Sequence, residues 1–324
     1  MVVYVAISIL LMVGFREDWT TLLQEAGRRS WQFFEILKSW LILAGIGVCI
    51  LIITVGLPAM KDRANNIVYA ILACAIFPSA FTLTKTSLPY ILPFFADPDL
   101  ASFDNWLHLG HDPWQLVWGA VPYLMNEAVI SSYIIVWSLL AMFSPVILAT
   151  VDGDQTRIMR FLIMYLVAWI VLGNFVALAG MSVGPIYYDR LLGTERFADL
   201  LQALKNTPIT DSIFSDVQDE LWRVYVEDSQ SFGAGISAFP SVHISSTTVT
   251  ALYLAERSRW LIIPALIMVL YVFFIAVVTG FHYAVDGYFS IIVIVGVWLL
   301  LRKYWKPDPA VSDIVQGHIL SGRD

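Results

Sequence analysis

Apolar runs recur along almost the whole chain, and most are about as long as a helix that crosses a membrane, although the first and the sixth are shorter. A spanning helix needs about 20 mostly apolar residues. The runs lie at 1–15, 39–58, 66–84, 121–149, 160–182, 241–255, 260–279 and 284–301. They predict an all-α polytopic membrane helix bundle with six to eight transmembrane helices.

The composition supports this class and excludes others. Of 324 residues, 58% are apolar and 14% are charged, whereas a soluble domain carries about 25% charge. A net charge of −7 argues against nucleic acid as a partner. The two cysteines, Cys49 and Cys74, both lie in apolar runs, which excludes a disulfide framework or a zinc cluster.

Basic residues near the ends of the apolar runs assign each loop to a side of the membrane, because short basic loops stay cytoplasmic. With eight spans, one side holds Lys61, Arg63, Arg157, Arg160, Arg257, Arg259, Arg302, Lys303 and Lys306. The other side holds 94–118, 183–240 and the turn 280–283. We therefore expect cytoplasmic termini and a plasma (inner) membrane location, with the polar stretches described next facing the extracytoplasmic side.

The stretch GFHYAVDGY places a histidine and an aspartate on one helix face. His282 and Asp286 are four residues apart, a spacing that brings two side chains together. A carboxylate can fix the tautomer of an imidazole and make its other nitrogen a nucleophile or base. Alternatively, the pair only caps the end of a helix at the interface.

The stretch AFPSVHISS has the features of an anion site. Because the residue before a proline avoids the α conformation, Pro240 or Ser241 is expected to begin a helix. The free N–H groups of a helix N-terminus suit a phosphate. Ser241 adds a hydroxyl, and His243 can point at the same anion. Alternatively, Ser241 is an ordinary helix cap and His243 an incidental interfacial residue.

Taken together, the two stretches predict phosphoryl transfer. One histidine with a carboxylate partner can attack phosphorus, and a second histidine can protonate the leaving oxygen. The scheme requires no metal and no cofactor. Since the site would lie at headgroup level, the expected partners are a phospholipid or lipid-phosphate substrate and the bilayer itself.

These residues resemble the type 2 phosphatidic acid phosphatase superfamily. Pro-Ser-Val-His at 240–243 is similar to its second motif, and Gly280, His282 and Asp286 are similar to its third. The resemblance implies that His282 forms a phosphohistidine, Asp286 orients it and His243 is the acid. It also implies a six-helix catalytic core over about 66–301.

Departures from the superfamily pattern point to one branch. The arginine usually found six residues before the nucleophilic histidine is replaced by Ala276, and the first motif, a lysine followed by Arg-Pro, is absent. The chain instead resembles inositol phosphorylceramide synthases and sphingomyelin synthases, also in 85–114 and 184–190. Those enzymes move a phosphorylated head group between lipids.

Three regions are expected on this basis. Residues 1–65 form N-terminal membrane helices with an amphipathic interfacial segment at 16–38. Residues 66–303 form the catalytic membrane domain, and 304–324 form a cytoplasmic tail.

One loop of the catalytic domain is long enough to have a task of its own. The segment 183–240 contains nine acids and four bases. It is expected to be an extracytoplasmic cap with short helices at 195–205 and 211–228.

Without the usual arginines, other groups must hold the phosphate. The candidates are Ser241, Lys85, Arg190 and Tyr188. Lys85, near the outer end of the third span, is costly in lipid unless it has a partner or snorkels to the surface. The fork of Arg190 suits phosphate oxygens, although pairing with a loop acid is an equal alternative.

A second histidine cluster has a simpler interpretation. His108 and His111 lie near Asp104 and Asp112 in a tryptophan-rich stretch. Such a stretch is typical of packing at the membrane interface, so no metal site is expected.

Two other function classes remain. A transporter would show broken helices in matched halves, which are not evident, and a scaffold leaves both histidine motifs unexplained. Among enzymes, the acceptor is open. A lipid hydroxyl makes a transferase, slightly favoured by the branch resemblance, and water makes a lipid-phosphate or polyprenyl-(pyro)phosphate phosphatase.

Overall fold

A computed structural model describes residues 1–17, 19–25, 27–28, 31, 49, 52–121, 126–210, 212–229 and 234–305. Within these ranges all regular secondary structure is helical, which confirms the all-α class. In chain order the helices are α1 (Val2–Phe15), α2 (Leu57–Asp62), α3 (Ala64–Ile91), α4 (Asp97–Leu107), α5 (Pro113–Val117), α6 (Glu127–Val151), α7 (Gln155–Leu166), α8 (Pro185–Leu192), α9 (Ala198–Lys205), α10 (Ile213–Val226), α11 (Val242–Arg257), α12 (Ile262–Val278) and α13 (Ala284–Tyr304).

Four helical segments in the described ranges are long and apolar enough to cross a bilayer. They are Ala64–Ile91, Gln155–Ala179, Arg259–Val278 and Ala284–Tyr304. The second continues α7 through a π-helical stretch, Val167–Val176. Val2–Phe15 and Trp137–Val151 are shorter apolar helices. The protein is therefore an integral membrane protein. Most of the predicted span 39–58 lies outside the described residues.

The predicted end of the third span was wrong. Helix α3 does not stop at 84 but continues to Ile91, with Pro78 and Pro89 inside it. Membrane helices tolerate prolines because neighbouring groups satisfy the backbone atoms that they free. Lys85 consequently lies within a continuous helix, where it is only 5% exposed.

Helix α11 is the centre of the bundle and packs against α6, α7, α12 and α13. Gly287 on α13 lets two backbones approach, since a Cβ there would lie 2.6 Å from Cδ1 of Ile244 on α11. Ile244 and Val249 are fully buried. This close contact sets the start of α11 beside the start of α13, and both starts carry motif residues.

Charged residues gather at the other end of these helices. Arg157 Nε lies 2.6 Å from an Asp152 oxygen, and Arg160 lies 2.9 Å from Glu256. Arg63 donates to the Thr150 carbonyl at 2.7 Å. His243 and Arg257 are separated by fourteen positions of α11, or about 20 Å of helix. The predicted cytoplasmic loops therefore meet at one end, opposite the histidines.

The segment 183–240 forms helices α8, α9 and α10, the last two close to the predicted 195–205 and 211–228. Their buried side chains join the same apolar cluster as residues of α11 and α12, namely Tyr187, Leu200, Phe214, Ile244 and Ile275. This segment is called the cap below. Its apolar face packs directly on the bundle end that carries the motif histidines.

Candidate active site

A cavity of about 340 Å³ lies between the bundle and the cap. His243 and His282 both line it, together with Lys85. Its walls include seven aromatic side chains, those of Phe81, Tyr133, Trp137, Trp169, Tyr187, Phe214 and Phe281. No carboxylate is among the described residues that line it, so a negatively charged ligand would meet only cationic and neutral groups.

His282 lies in the turn between α12 and α13. Gly280 makes the turn possible, because its φ of +73° is one that side chains rarely adopt. The His282 amide donates to the Ala276 carbonyl at 3.1 Å, and Gly280 accepts from the Ile186 amide of the cap at 2.9 Å. The nucleophile candidate is thus fixed by its backbone on both sides.

Asp286 holds one nitrogen of the His282 ring. Its Oδ2 lies 3.3 Å from His282 Nδ1 and also accepts from the Tyr283 amide at 3.0 Å. Asp286 is fully buried in the first turn of α13. A carboxylate at Nδ1 favours the tautomer that carries its proton there, which leaves Nε2 as the nitrogen for bond formation.

His243 projects from the first turn of α11 into the same cavity. Its ring lies 3.9 Å from the Trp137 ring and 5.7 Å from the His282 ring, measured between centroids. Two hydrogen-bond lengths of about 3 Å, placed end to end, span about 6 Å. The structure therefore places both imidazoles within reach of one phosphoryl group.

Ser241 caps α11. Its Oγ accepts from the Ile244 amide at 3.2 Å, and its carbonyl accepts from Ser290 Oγ on α13 at 3.0 Å. It is fully buried and does not line the cavity. The contacts of Ser241 are therefore those of a helix cap. Its bond with Ser290 also joins the start of α11, which carries His243, to α13, which carries Asp286.

Lys85 reaches the cavity from α3. Its Nζ donates to the Gly173 carbonyl at 3.2 Å, which is its one hydrogen bond within the described part of the chain. An ammonium group has three donors. Lys85 is thus a buried cation whose remaining donors are free for an anion between the histidines.

Arg190 and Tyr188 lie away from the cavity. Arg190 pairs with Asp219 at 3.5 Å on the surface, where both side chains are largely exposed. Tyr188 packs on Phe197. Their neighbour Tyr187 lines the cavity instead. The structure thus brings Lys85, His243 and His282 together but leaves these two candidates outside.

Two aspartates of α4 support the site and were missed from the sequence as positioning groups. Asp97 accepts from the Val183 and Gly184 amides at 2.8 and 3.0 Å and from the Tyr283 hydroxyl at 2.9 Å. Burial raises the pKa of this carboxyl, although those hydrogen bonds oppose the rise. Asp97 therefore joins the cap, through its first residues, to the turn that carries His282.

Asp104 holds the start of α13. Its two oxygens accept from the Ala284 and Val285 amides, each at 3.0 Å. Asp97 and Asp104 are both buried and lie seven residues, or about two helical turns, apart. In the sequence, the signal for these two positioning residues was their spacing, which places two acids on one face of an interfacial helix.

The sequence from 98 to 301 matches the family model of the PAP2 superfamily. This range is more than half of the chain and includes both histidine motifs and both α11 and α13. The chain belongs to the PAP2 superfamily. No curated protein matches the chain, and no solved structure does. PAP2 membership supports a lipid phosphatase-type function for this membrane protein. It leaves α1 and the whole of α3, including Lys85, outside the matched range.

Proposed function

We propose that this PAP2 protein is a lipid phosphotransferase that moves a phosphorylated head group through a phosphohistidine at His282. The observation that carries the proposal is the pair of imidazoles 5.7 Å apart in one cavity. One ring has a carboxylate at Nδ1, and the other has none among the described residues. This difference is the one that a nucleophile and an acid require.

The first half-reaction uses the donor lipid. Nε2 of His282 bonds to phosphorus, the bond from phosphorus to the donor's lipid oxygen breaks, and protonated His243 gives its proton to that oxygen. Asp286 stabilises the charge that develops on the His282 ring. Lys85 binds the phosphate oxygens in place of the arginines that the superfamily pattern would supply.

The second half-reaction restores the enzyme. An acceptor hydroxyl gives its proton to His243 while its oxygen bonds to phosphorus, and the phosphorus–nitrogen bond to His282 breaks. Water in place of that hydroxyl would release the phosphorylated head group, and with a lipid phosphate as donor the same step would be that of a phosphatase. Transfer is favoured by the apolar walls and by the cap, because exclusion of water protects a reactive intermediate from hydrolysis. The resemblance to head-group transferases supports the same choice.

The decisive experiment follows the fate of a phospholipid with a labelled head group. Purified enzyme is incubated with the donor, with and without a lipid alcohol acceptor, and products are read by mass. We expect a new lipid that carries the labelled head group and an acid-labile label on the protein. Both should be absent in His282→Ala and present in His111→Ala, since His111 is exposed and outside the cavity.

Two results would contradict the proposal. Turnover by His282→Ala at the wild-type rate would remove His282 from the mechanism. Release of the phosphorylated head group to water without any acceptor product, across several lipid alcohols, would make the protein a phospholipid hydrolase and not a transferase.

A further inference from the structure

A buried arginine joins the N-terminal helix to the cap. Arg16 follows the last residue of α1, and its side chain is only 1% exposed. Its guanidinium donates to the Thr86 carbonyl at 3.2 Å and to the Asp228 and Ser229 carbonyls at 3.0 and 3.3 Å. It also forms an ion pair with the Asp228 carboxylate and lies 4.5 Å from the centre of the Tyr90 ring.

Breaking these contacts would be costly, because a buried charge that loses its partners stays without compensation. The Arg16 contacts are therefore held firmly. Arg223, an arginine on helix α10 of the cap, has different surroundings from Arg16. It pairs with Glu220 and Glu227, and all three side chains are exposed, so its pairs contribute little.

A segment that begins five residues after Ser229 forms a wall of the cavity. Residues 234–238, called the wall below, all line it. Gly235 has a φ of +112°, and a Cβ there would lie 2.7 Å from Lys85 Cγ. At the other end, Ala238 lines the cavity together with His282, and its amide donates to the Ser182 carbonyl at 2.8 Å. The wall therefore packs against Lys85 and shares the cavity with the nucleophile candidate.

Helix α1 lies outside the range that matches the PAP2 superfamily, yet it packs along α3. Ser8 and Thr84 are joined at 2.8 Å, and Tyr4 accepts from Asn174 at 2.7 Å. These contacts fix α1 to the bundle, so Arg16 is a fixed anchor. Arg16 also lines one small cavity together with Ser229 and with Gly235 and Ile236 of the wall, so it lies beside the wall as well as beside Ser229.

We propose that Arg16 is a positioning residue that, through Asp228 and Ser229, keeps the wall against Lys85 and so excludes water from the cavity. In this way the N-terminal helix sets the ratio of hydrolysis to head-group transfer. The effect of Arg16 on the ratio of hydrolysis to transfer rests on the proposed function, whereas its effect on the position of the wall does not. Loss of the anchor frees the wall, admits water and favours hydrolysis of the phosphohistidine.

Two measurements on one set of variants test this. The first is the ratio of hydrolysis to transfer products from a phospholipid donor with a lipid alcohol. The second is the rate at which a water-soluble thiol reagent modifies Ser237→Cys in a Cys49→Ser, Cys74→Ala background. Ser237 lines the cavity from the wall. We expect Arg16→Gln to increase the ratio and the labelling rate by about tenfold each, since a buried charged anchor is lost.

Arg223→Gln is the matched control and should change neither quantity. If Arg16→Gln does not fold, Asp228→Asn serves, since Asp228 is 43% exposed and its carbonyl contact to Arg16 remains. Asp228→Asn should increase both the product ratio and the labelling rate, but by less than Arg16→Gln does. A folded Arg16→Gln or Asp228→Asn with unchanged labelling would overturn the inference. A wild type that only hydrolyses, with labelling that still responds to Arg16, would instead overturn head-group transfer alone.

Discussion

At the scale of single residues, the two histidines differ in their surroundings more than in their position. His282 has a carboxylate 3.3 Å from Nδ1, while His243 lies against the Trp137 ring. The first environment suits a group that becomes a covalent, positively charged intermediate. The second suits a group that exchanges a proton and returns to neutrality. This difference is the basis on which we propose the two chemical roles.

The assignment predicts that the need for His243 depends on the leaving group. His243→Ala should slow cleavage of an alkyl phosphate by about 10² to 10⁴, the usual contribution of a general acid. Cleavage of p-nitrophenyl phosphate should be much less affected, because nitrophenolate leaves without a proton. His282→Ala should abolish both. Steady-state rates on the two substrates, measured for each variant, check this.

Equal losses of His243→Ala on both substrates would show that His243 binds or attacks and is not the acid. The His111→Ala enzyme should behave as wild type on both.

The sequence indicated that the rings of His243 and His282 share a site, but it did not indicate what surrounds them. Motif spacing predicted that His243 and His282 come together, because each stands where a span begins or ends. Asp97 contacts residues more than eighty positions away, and no local pattern specifies such a partner. Tyr187 and Tyr188 are adjacent, and only the helix rotation of α8 decides which of them faces the cavity.

At the scale of elements, α4 supports α13 through one carboxylate. Burial raises the pKa of Asp104 to about 6, although the Ala284 and Val285 amides lower it in part. The ordinary value is about 3.9. The folded state therefore binds this proton more tightly than the unfolded chain does. The stability that the group contributes is fully present below about pH 4 and is lost as the pH rises through about 6.

Asp104→Asn cannot titrate, so the difference in melting temperature between wild type and this variant should depend on pH. We expect wild type to lose a few degrees relative to Asp104→Asn between pH 4 and pH 7. Thermal unfolding in detergent at several pH values measures it. A His108→Gln background removes the neighbouring imidazole, whose Nδ1 lies 3.7 Å from the carboxylate. A difference that is constant, or that grows with pH in favour of wild type, would contradict this.

The contact of α11 with α13 offers a second prediction at this scale. Gly287→Val should cost about 1–3 kcal/mol, as overpacking does, and should lower activity, because it pushes Asp286 away from α11. Gly296→Val on the same helix should do neither, since a Cβ there meets only open space. Melting temperature and turnover of both variants are the measurements.

Wild-type activity and stability in Gly287→Val would show that the two helices do not need this close contact.

Helix boundaries were predictable where a capping residue marks them and not elsewhere. Ser241 and Asp154 accept from the first amides of α11 and α7, and both signals are visible in the sequence. The end of α3 at Ile91 was not, because prolines that end a soluble helix are accommodated in this bundle. The π-helical stretch in α7 likewise depends on its neighbours and has no signature of its own.

At the scale of the whole molecule, charge separates the two ends. The basic loops meet around Asp152 and Glu256, and the cavity and cap lie at the other end. If basic loops are cytoplasmic, the site faces outward. The hydropathy pattern predicted the membrane bundle correctly. It could not predict how the cap packs, since that depends on side chains such as Leu200 and Phe214 that meet the bundle only in three dimensions.

The orientation is tested with thiols placed at the two ends. In a background with Cys49→Ser and Cys74→Ala, Asp199→Cys in the cap should react with an impermeant thiol reagent in right-side-out membrane vesicles. Lys61→Cys should react only after permeabilisation. Both positions are exposed. The reverse pattern would place the site on the cytoplasmic side.

The cavity also has a kinetic consequence. At about 340 Å³ it is near the small end of ligand pockets, which range over about 300–1,000 Å³. One chamber of that size leaves little room for the departing alcohol and the incoming one at once. On the proposed phosphohistidine mechanism we therefore expect a ping-pong scheme. Double-reciprocal plots at several acceptor concentrations should be parallel, and the released alcohol should compete with the acceptor for the loaded enzyme.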